Sequence, residues 1–361
     1  MFELEPTEEL ALLVETARSF AAEELSPHAR AYEAAGKPSE AAEAAFSQIG
    51  LAGLEVPDRF GGAGLGALAR ALVGEELGAG DPGAALALDL LGPVAGALLE
   101  LGGEETFAKL ALPLLEGGNE RAWLVAPGET SLVREGTRVS GTVPWVPADR
   151  VGLLLVLEPD GAYAVRQGID ARPLPGAGLR AAGAAELTLD GAPVVVLPAD
   201  SAASARALGR ARLHANGLLI GVLRQAVEFA SGYAQERVAF GRPIAHHQAL
   251  AFLLTDMHMA VEGARWLLWE AAWRADEGLD FAGAAASAFV EAVEASRLVG
   301  PAAVQVLGGH GFMQDYPVEK SMREARVLGL LFGGIDGGRE DAGRAWLAQE
   351  LPLTFSHGEL G

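Results

Sequence analysis

The stretch Glu236-Arg237-Val238-Ala239-Phe240-Gly241-Arg242-Pro243-Ile244, followed by His247-Gln248, separates two long segments of helical periodicity. Glycine followed closely by proline ends a helix, because proline lacks the N–H that the next hydrogen bond needs. Comparable breaks occur at Asp276-Glu277-Gly278 and at Gly308-Gly309-His310-Gly311. Apolar residues keep helical spacing between the three breaks. The pattern predicts a four-helix-bundle domain over residues 201–361.

The rest of the chain changes its pattern once. From Thr7 to about Gly118 the apolar residues also recur at helical spacing, with Thr7 as a candidate N-cap. Residues 121–200 instead contain short apolar runs bounded by Gly, Pro and Asp, such as Val151–Leu157 and Val194–Leu197, which favour antiparallel strands. We therefore predict an α+β fold, with an all-helical N-terminal domain (1–120), a small antiparallel β-barrel-like middle domain (121–200) and the C-terminal bundle.

Composition excludes several classes of function. The 361 residues carry a formal net charge of -21, which opposes binding to nucleic acid and to an anionic membrane surface. The chain has no cysteine, and His246-His247 lacks the spacing of two metal ligands on one helix face, so we expect no metal site. The N-terminus shows no basic, apolar leader and no stretch is apolar enough to span a bilayer. These features predict a cytoplasmic protein.

Four motifs resemble the acyl-CoA dehydrogenase family in their order and spacing. They are Val56–Gly66, Gln305–Phe312, Tyr316–Lys320 and Arg323–Arg326, together with the turn at 236–248. The resemblance implies FAD as cofactor, an acyl-CoA thioester as substrate and α,β-desaturation as the reaction. It also implies a homo- or hetero-oligomer built as a dimer of dimers, in which each FAD is shared across an interface, and an electron-transferring flavoprotein as a possible partner.

One group of residues, by this resemblance, serves the FAD that a neighbouring subunit holds. Its members are Arg237 for the diphosphate, Phe240 for the adenosine part, and Gln248, Gln305, Gly308 and Gly309 along the dinucleotide. The chemistry agrees, since a guanidinium offers paired donors to phosphate and glycines allow close backbone approach. The alternative is that Arg237 caps its helix or pairs with Glu236, and that the glycines only form a tight turn.

A second group would serve the subunit's own flavin ring, and it is incomplete. The family loop Thr-Glu-Pro-Gly-x-Gly-Ser-Asp aligns with Val125–Leu132, and the family strand Trp-Ile-Thr aligns with Trp145–Pro147. Ser131 and Trp145 remain, whereas Val125 and Pro147 replace the two threonines. Because buried polar atoms without partners are costly, we expect weak or absent FAD in this pocket. The alternative is that other groups replace the lost contacts.

The catalytic base is also missing. Desaturation needs a carboxylate against the substrate α carbon. Phe332 stands where most relatives carry this glutamate, and Ala211 stands where a subset supplies it from an earlier helix. Loss of a positioned base lowers a rate by roughly 10²- to 10⁴-fold. Asp336 or Glu340 could substitute only if the loop is reshaped, and the simpler interpretation is that both are solvated.

A local positive patch lies at the start of a long predicted helix. Arg206, Arg210, Arg212 and His214 could receive CoA phosphates, with Arg212 as the candidate substrate-binding residue, or could pair with the many carboxylates. Three hypotheses result. The chain is a partner subunit that supports the FAD of a catalytic homologue, a self-sufficient FAD enzyme with a relocated base, or a non-enzymatic acyl-CoA-binding or scaffold protein.

Overall fold

The structure, a computed structural model, describes residues 7–117 and 120–348. Its N-terminal part is helical, as predicted, and Thr7 caps the first helix by accepting a hydrogen bond from Leu10 N at 3.2 Å. The helices are α1 (Glu8–Phe20), α2 (Ala29–Ala35), α3 (Glu40–Gln48), α4 (Ala67–Gly80), α5 (Pro82–Leu88), α6 (Val94–Leu110) and α7 (Leu112–Gly117). A kink at Gly102 and Gly103 divides α6.

The middle of the chain forms the predicted sheet, with two differences in detail. Its strands are β1 (Arg121–Val125), β2 (Val133–Glu135), β3 (Arg138–Val146), β4 (Val151–Glu158), β5 (Gly161–Val165), β6 (Ile169–Pro173) and β7 (Ala185–Leu197). The order is β1-β4-β5-β7-β3-β2, with β6 also on β7. The pair β1–β4 is parallel, whereas the prediction was antiparallel throughout. Within the described residues the sheet does not close into a barrel, because β1 and β2 remain its two ends.

The C-terminal part consists of long helices that break where the sequence predicted. They are α8 (Ser201–Glu236), α9 (Gln248–Asp276), α10 (Ala282–Leu307), α11 (Val318–Leu328) and α12 (Gly334–Ala348). A small hairpin of β8 (Val238–Ala239) and β9 (Arg242–Pro243) joins α8 to α9. Helix α10 packs against all four of its neighbours in this part, and α8 packs against α9, α10 and α11.

Helix α8 also joins the C-terminal part to the N-terminal helices. Its closest neighbour is α4, and the two backbones approach at glycines. A Cβ on Gly221 would lie 2.0 Å from Glu75 O, and one on Gly78 would lie 2.3 Å from Leu218 O, so neither position has room for a side chain. This close packing fixes the middle of α8 against α4. Among the described helices, none is long and apolar enough to span a membrane.

Candidate functional site

Phe332 lies in the short loop Leu331–Gly334, which follows α11 and ends on the first residue of α12. Its side chain is 1% exposed, and its ring stacks on Trp123 of β1 with centroids 5.5 Å apart. Its φ of +55° falls in the left-handed region, which a bulky residue rarely adopts. Ala211, on α8, is fully buried. Apolar side chains that cannot take a proton therefore fill both positions that the resemblance assigns to the base.

A cavity of about 440 Å³ opens beside Phe332, between the sheet and the loop. Trp145 lines it, together with Trp123, Val125 and Val143. Its other lining residues are Glu129, Pro175, Gly176, Ala177, Gly178, Val327, Leu330, Leu331 and Phe332. Ser131 does not line it: the Ser131 hydroxyl is exposed and lies 2.8 Å from the Thr142 hydroxyl. Of the two retained ring contacts, the structure places only Trp145 at this cavity.

Glu129 is the site residue that the sequence reasoning missed. Its Oε1 accepts a hydrogen bond from Gly333 N at 2.6 Å, and its Oε2 accepts one from Ala126 N at 2.8 Å. Burial raises the pKa of this carboxyl, although the two N–H donors and the Arg212 charge oppose the change. The available signal was a carboxylate at the variable position of the family loop. The sequence alone gives no indication that it reaches a residue 204 positions away.

Arg212 is buried and occupied by protein partners. Its Nε donates to Phe332 O at 3.2 Å, and its Nη1 lies 2.7 Å from an oxygen of Asp341. Burial lowers the pKa of Arg212, with Asp341 acting in the opposite direction. Arg206 and Arg210 both bond Glu100. Of the two interpretations of this patch, pairing with carboxylates describes its arginines in the structure.

A second cavity, of about 600 Å³, lies on the other side of the Leu331–Gly334 loop. Arg212, Gly333 and Ala126 line the end near Phe332, and Ser201, Ser204, Ala205 and Leu208 of α8 line the rest with the start of α10 and with α12. Glu340 and Arg344, which form an ion pair, belong to its rim. Asp336, the other substitute base considered, is exposed to solvent and lines neither cavity.

His214 does not join Arg212. It is buried on α8 near Arg70, and neither ring nitrogen has a hydrogen-bond partner in the described part of the chain. Burial and then the Arg70 charge lower the pKa of His214 to about 3, against an ordinary value of 6.5. A neutral histidine of this kind cannot help to hold a phosphate through charge. It therefore leaves the predicted positive patch.

The residues that the resemblance assigns to a neighbour's FAD form one outer surface at the C-terminal end of α8. They are Arg237, Phe240, Gln248, Gln305, Gly308 and Gly309. The hydroxyl of Tyr233, in the last turn of α8, lies 2.8 Å from His310 Nδ1, which places the loop Gly308–Phe312 beside that turn. Arg237 follows Tyr233 by four residues and so projects from the same side of the helix end. It is exposed, and no carboxylate in the described residues, Glu236 included, pairs with it.

The other members of this group are exposed as well. Phe240 is 96% exposed at the tip of the hairpin, although its φ of +53° is unfavourable for a phenylalanine. Gln248 begins α9 and Gln305 lies in the last turn of α10, both facing solvent. Gly308 has a φ of +58°, so the turn itself requires glycine there. At Gly309 a Cβ would meet nothing within 4 Å, which leaves open space over the loop.

The two regions differ in how they suit FAD. The inner cavity, which is the one of about 440 Å³ beside Phe332, has aromatic walls. Its one ionisable lining side chain, Glu129, is an acceptor already bonded to two N–H groups. The polar edge of a flavin ring would find few side-chain donors there, so this cavity does not fit the ring. The outer surface does fit a diphosphate, because it combines the glycine loop with the Arg237 guanidinium, which has no carboxylate partner in the described part of the chain.

Comparisons with known proteins agree on the family. Residues 7–118 match the family described as acyl-CoA dehydrogenase, N-terminal domain, and residues 201–346 match acyl-CoA dehydrogenase, C-terminal domain. The human mitochondrial short-chain specific acyl-CoA dehydrogenase is 28% identical, over 89% of this chain and 86% of that protein. Both ends of the chain thus carry the signature of one family.

Solved structures show the same architecture. Butyryl-CoA dehydrogenase from Megasphaera elsdenii superposes with a TM-score of 0.84 over 96% of this chain and 100% of that one, and at 22% identity it shows the fold alone. A structure described as the Tcur3481-Tcur3483 steroid ACAD G363A variant is 27% identical, with a TM-score of 0.77, over 94% of this chain and 98% of that one. On these matches, the chain belongs to the acyl-CoA dehydrogenase family, whose members are FAD-dependent flavoproteins.

Proposed function

We propose that this chain is a partner subunit of a heteromeric acyl-CoA dehydrogenase, inactive alone, which supports the FAD of a catalytic homologue. The observation that carries the proposal is the contrast between its two regions. The outer surface around Arg237 is exposed, and among residues 7–117 and 120–348 no carboxylate pairs with Arg237, whereas Phe332 and Glu129 occupy the inner half-site. A self-sufficient enzyme needs both regions in working order. A subunit that assists a neighbour needs only the first.

The outer surface supplies binding groups for a cofactor held mainly by another subunit. Arg237 would hold the diphosphate, Gln248 and Gln305 would lie along the dinucleotide, and Phe240 would pack on its adenosine part. The exposure and left-handed backbone of Phe240 support this role, because an aromatic ring held in an unfavourable conformation at the surface gains its stabilisation from what covers it. When bound, FAD accepts the hydride removed from the substrate β carbon.

The inner half-site, which comprises the cavity beside Phe332 and the two expected base positions, supports the same conclusion. Desaturation requires a carboxylate against the substrate, and neither Phe332 nor Ala211 can act as a base. Asp336 is exposed and Glu340 is paired with Arg344, so neither is positioned to substitute without rearrangement. The missing base and the missing donors for the flavin ring occur together, as expected for a half-site that has lost its function as a whole.

The assembly would contain two kinds of subunit. A dimer of dimers is the arrangement that we propose, since it brings the outer surface of one subunit to the cofactor of the next. An electron-transferring flavoprotein would then reoxidise the flavin of the catalytic subunit.

Co-expression with catalytic homologues from the same genome tests the proposal. We expect a stable complex that contains FAD and desaturates an acyl-CoA thioester, while this chain alone does neither. In the complex, Arg237→Ala in this chain should weaken FAD binding about 10- to 100-fold, the usual effect of losing a charge-assisted contact. Arg297→Ala is the matched control, because Arg297 is an exposed arginine of α10 that pairs with Glu294.

Each alternative predicts a different result. A self-sufficient enzyme would desaturate substrate without any partner, and Asp336→Asn would abolish that activity if Asp336 were the relocated base. An acyl-CoA-binding or scaffold protein would bind thioester but no FAD, alone or in a complex, and the thioester would raise its melting temperature. Equal FAD affinity of the Arg237→Ala and wild-type complexes would contradict the proposed role of the outer surface.

A further inference from the structure

The peptide bond between Phe332 and Gly333 is held from two sides by charged groups. Glu129, from the loop after β1, accepts a hydrogen bond from Gly333 N at 2.6 Å. Arg212, from α8, donates one to Phe332 O at 3.2 Å. A peptide dipole between a carboxylate at its N–H and a guanidinium at its C=O is oriented favourably at both ends. Two separate elements therefore fix the orientation of a single peptide.

The backbone of this loop does not favour its conformation without help. Three consecutive residues, Phe332, Gly333 and Gly334, have φ values of +55°, +86° and +57°. The left-handed region is easily adopted by the two glycines, but it is unfavourable for phenylalanine. A residue in such a conformation persists where its surroundings over-determine it. Here the surroundings are the stacking of Phe332 on Trp123 and the two hydrogen bonds to the peptide.

The loop forms part of the wall of both cavities. Phe332 and Glu129 line the cavity of about 440 Å³ beside Trp123 and Trp145. Gly333, Arg212 and Ala126 line the cavity of about 600 Å³ on the other side. Glu129 bonds the N–H groups of Ala126 and Gly333, so it ties the loop to the sheet along this boundary. The loop therefore lies between the two cavities.

We propose that Glu129 is a positioning residue that holds the loop Leu331–Gly334 closed between the two cavities. With Glu129 bonded to Gly333 N, the Phe332 ring stays against Trp123 and the wall is continuous. Without that bond, a strained loop with two flexible glycines moves away from the sheet, and the cavities join. This inference goes beyond the proposed function, because it concerns the isolated chain and requires neither a partner subunit nor FAD.

Amide hydrogen exchange of the isolated chain tests the proposal. In Glu129→Ala, the Gly333 amide loses its charged acceptor, and we expect its exchange to accelerate about 10- to 100-fold. Glu129→Gln keeps one neutral acceptor of the same shape and should give a smaller acceleration. Asp336→Asn is the control, because Asp336 is exposed three residues along and lies outside this hydrogen-bond network. Its Gly333 exchange should stay within about twofold of wild type.

The exchange of the core separates a local latch from general support of the fold. Amides of α10 around the buried Phe289 should exchange at the wild-type rate in both Glu129 variants. Acceleration confined to the loop supports the proposal. Equal acceleration of the loop and of α10 would mean that Glu129 only stabilises the fold, and an unchanged Gly333 rate would mean that it does not hold the loop. Either result overturns the proposal, whereas the partner-subunit function would stand in both cases.

Discussion

Replacement of Lys320 by methionine should destabilise the protein more than any other lysine substitution. Lys320 is one of three lysines in the chain, and it is 6% exposed on α11. Its Nζ lies 3.1 Å from Asp81 at the start of α5 and 2.8 Å from Glu324. Glu324 in turn accepts a hydrogen bond from Leu179 N, in the middle part of the chain, at 2.6 Å. One ammonium group therefore links all three parts of the fold.

The magnitude follows from what remains after the substitution. Burial lowers the pKa of Lys320, but Asp81 and Glu324 outweigh this and raise it, so the group stays charged. In Lys320→Met two buried carboxylates lose their counter-charge, and breaking a buried pair in this way destabilises by about 3–5 kcal/mol. Asp81 keeps its hydrogen bonds to Gly83 N and Ala84 N, which favours the lower end of that range.

The loss of stability in Lys320→Met should also depend on pH. Burial raises the pKa of Glu324 above its ordinary value of 4.5, and loss of Lys320 raises it further. As the pH falls, a carboxyl with a raised folded-state pKa binds its proton at a higher pH than the same group in the unfolded chain. The loss of stability in Lys320→Met is therefore largest at neutral pH and shrinks as the pH falls toward 4.5. The ionised form of Glu324 thus penalises Lys320→Met most above that value.

Urea denaturation followed by circular dichroism measures this effect. Lys320→Met should unfold at a lower urea concentration than wild type at pH 7.5, with a smaller difference at pH 5.5. Lys109→Met is the control, because Lys109 is exposed on α6 and its loss should change stability by less than about 0.5 kcal/mol. Equal urea midpoints for Lys320→Met and Lys109→Met would mean that the buried ammonium group of Lys320 does not stabilise the fold.

Three further predictions concern α8 and the loop at Phe332. Because folded His214 has a pKa of about 3 and the unfolded side chain one near 6.5, the unfolded state takes up a proton below pH 6.5 and wild type should lose about 2 kcal/mol between pH 8 and pH 5. In His214→Leu this part of the pH dependence should vanish in urea titrations, and an unchanged slope would contradict the assigned burial. Asp200 accepts a hydrogen bond from Ala203 N at 2.8 Å, so Asp200→Ala should lower stability by about 1 kcal/mol in the same assay. Phe332→Glu restores a carboxylate at the expected position, yet FAD-supplemented assays should detect no acyl-CoA desaturation, because the flavin contacts are also missing; robust turnover would show that only the base had been lost.

Local patterns predicted most of the architecture. The breaks at Gly241-Arg242-Pro243 and Gly308–Gly311 end helices because glycine and proline act on the backbone within a few residues. The strand β4 and the end of β7 fall on the apolar runs Val151–Leu157 and Val194–Leu197, for the same local reason. The parallel pairing of β1 with β4 was not predictable in this way. The pairing of two strands depends on tertiary contacts between distant segments, and the local periodicity of each strand does not determine which strands pair.

Side-chain partners distant in sequence could be predicted less well. Arg206 and Arg210 looked like a positive patch because no acidic residue lies near them in sequence, but Glu100 lies 106 and 110 residues away and pairs with both. Glu129 is another example, since a loop carboxylate gives no sign that its partner is Gly333. The exposure of Arg237 agrees with the role implied by the family motif, whereas its contact with FAD stays a prediction.

The flavin content of the isolated chain distinguishes a partner subunit from a self-sufficient enzyme. The chain is purified alone in buffer supplemented with FAD, free cofactor is removed, and the absorbance near 450 nm is compared with that of the co-expressed complex. If the chain is a partner subunit, the isolated chain is colourless and the complex is yellow, and the complex loses its flavin when Arg237 is replaced by alanine. An isolated chain that retains one FAD per subunit and desaturates an acyl-CoA thioester would contradict it.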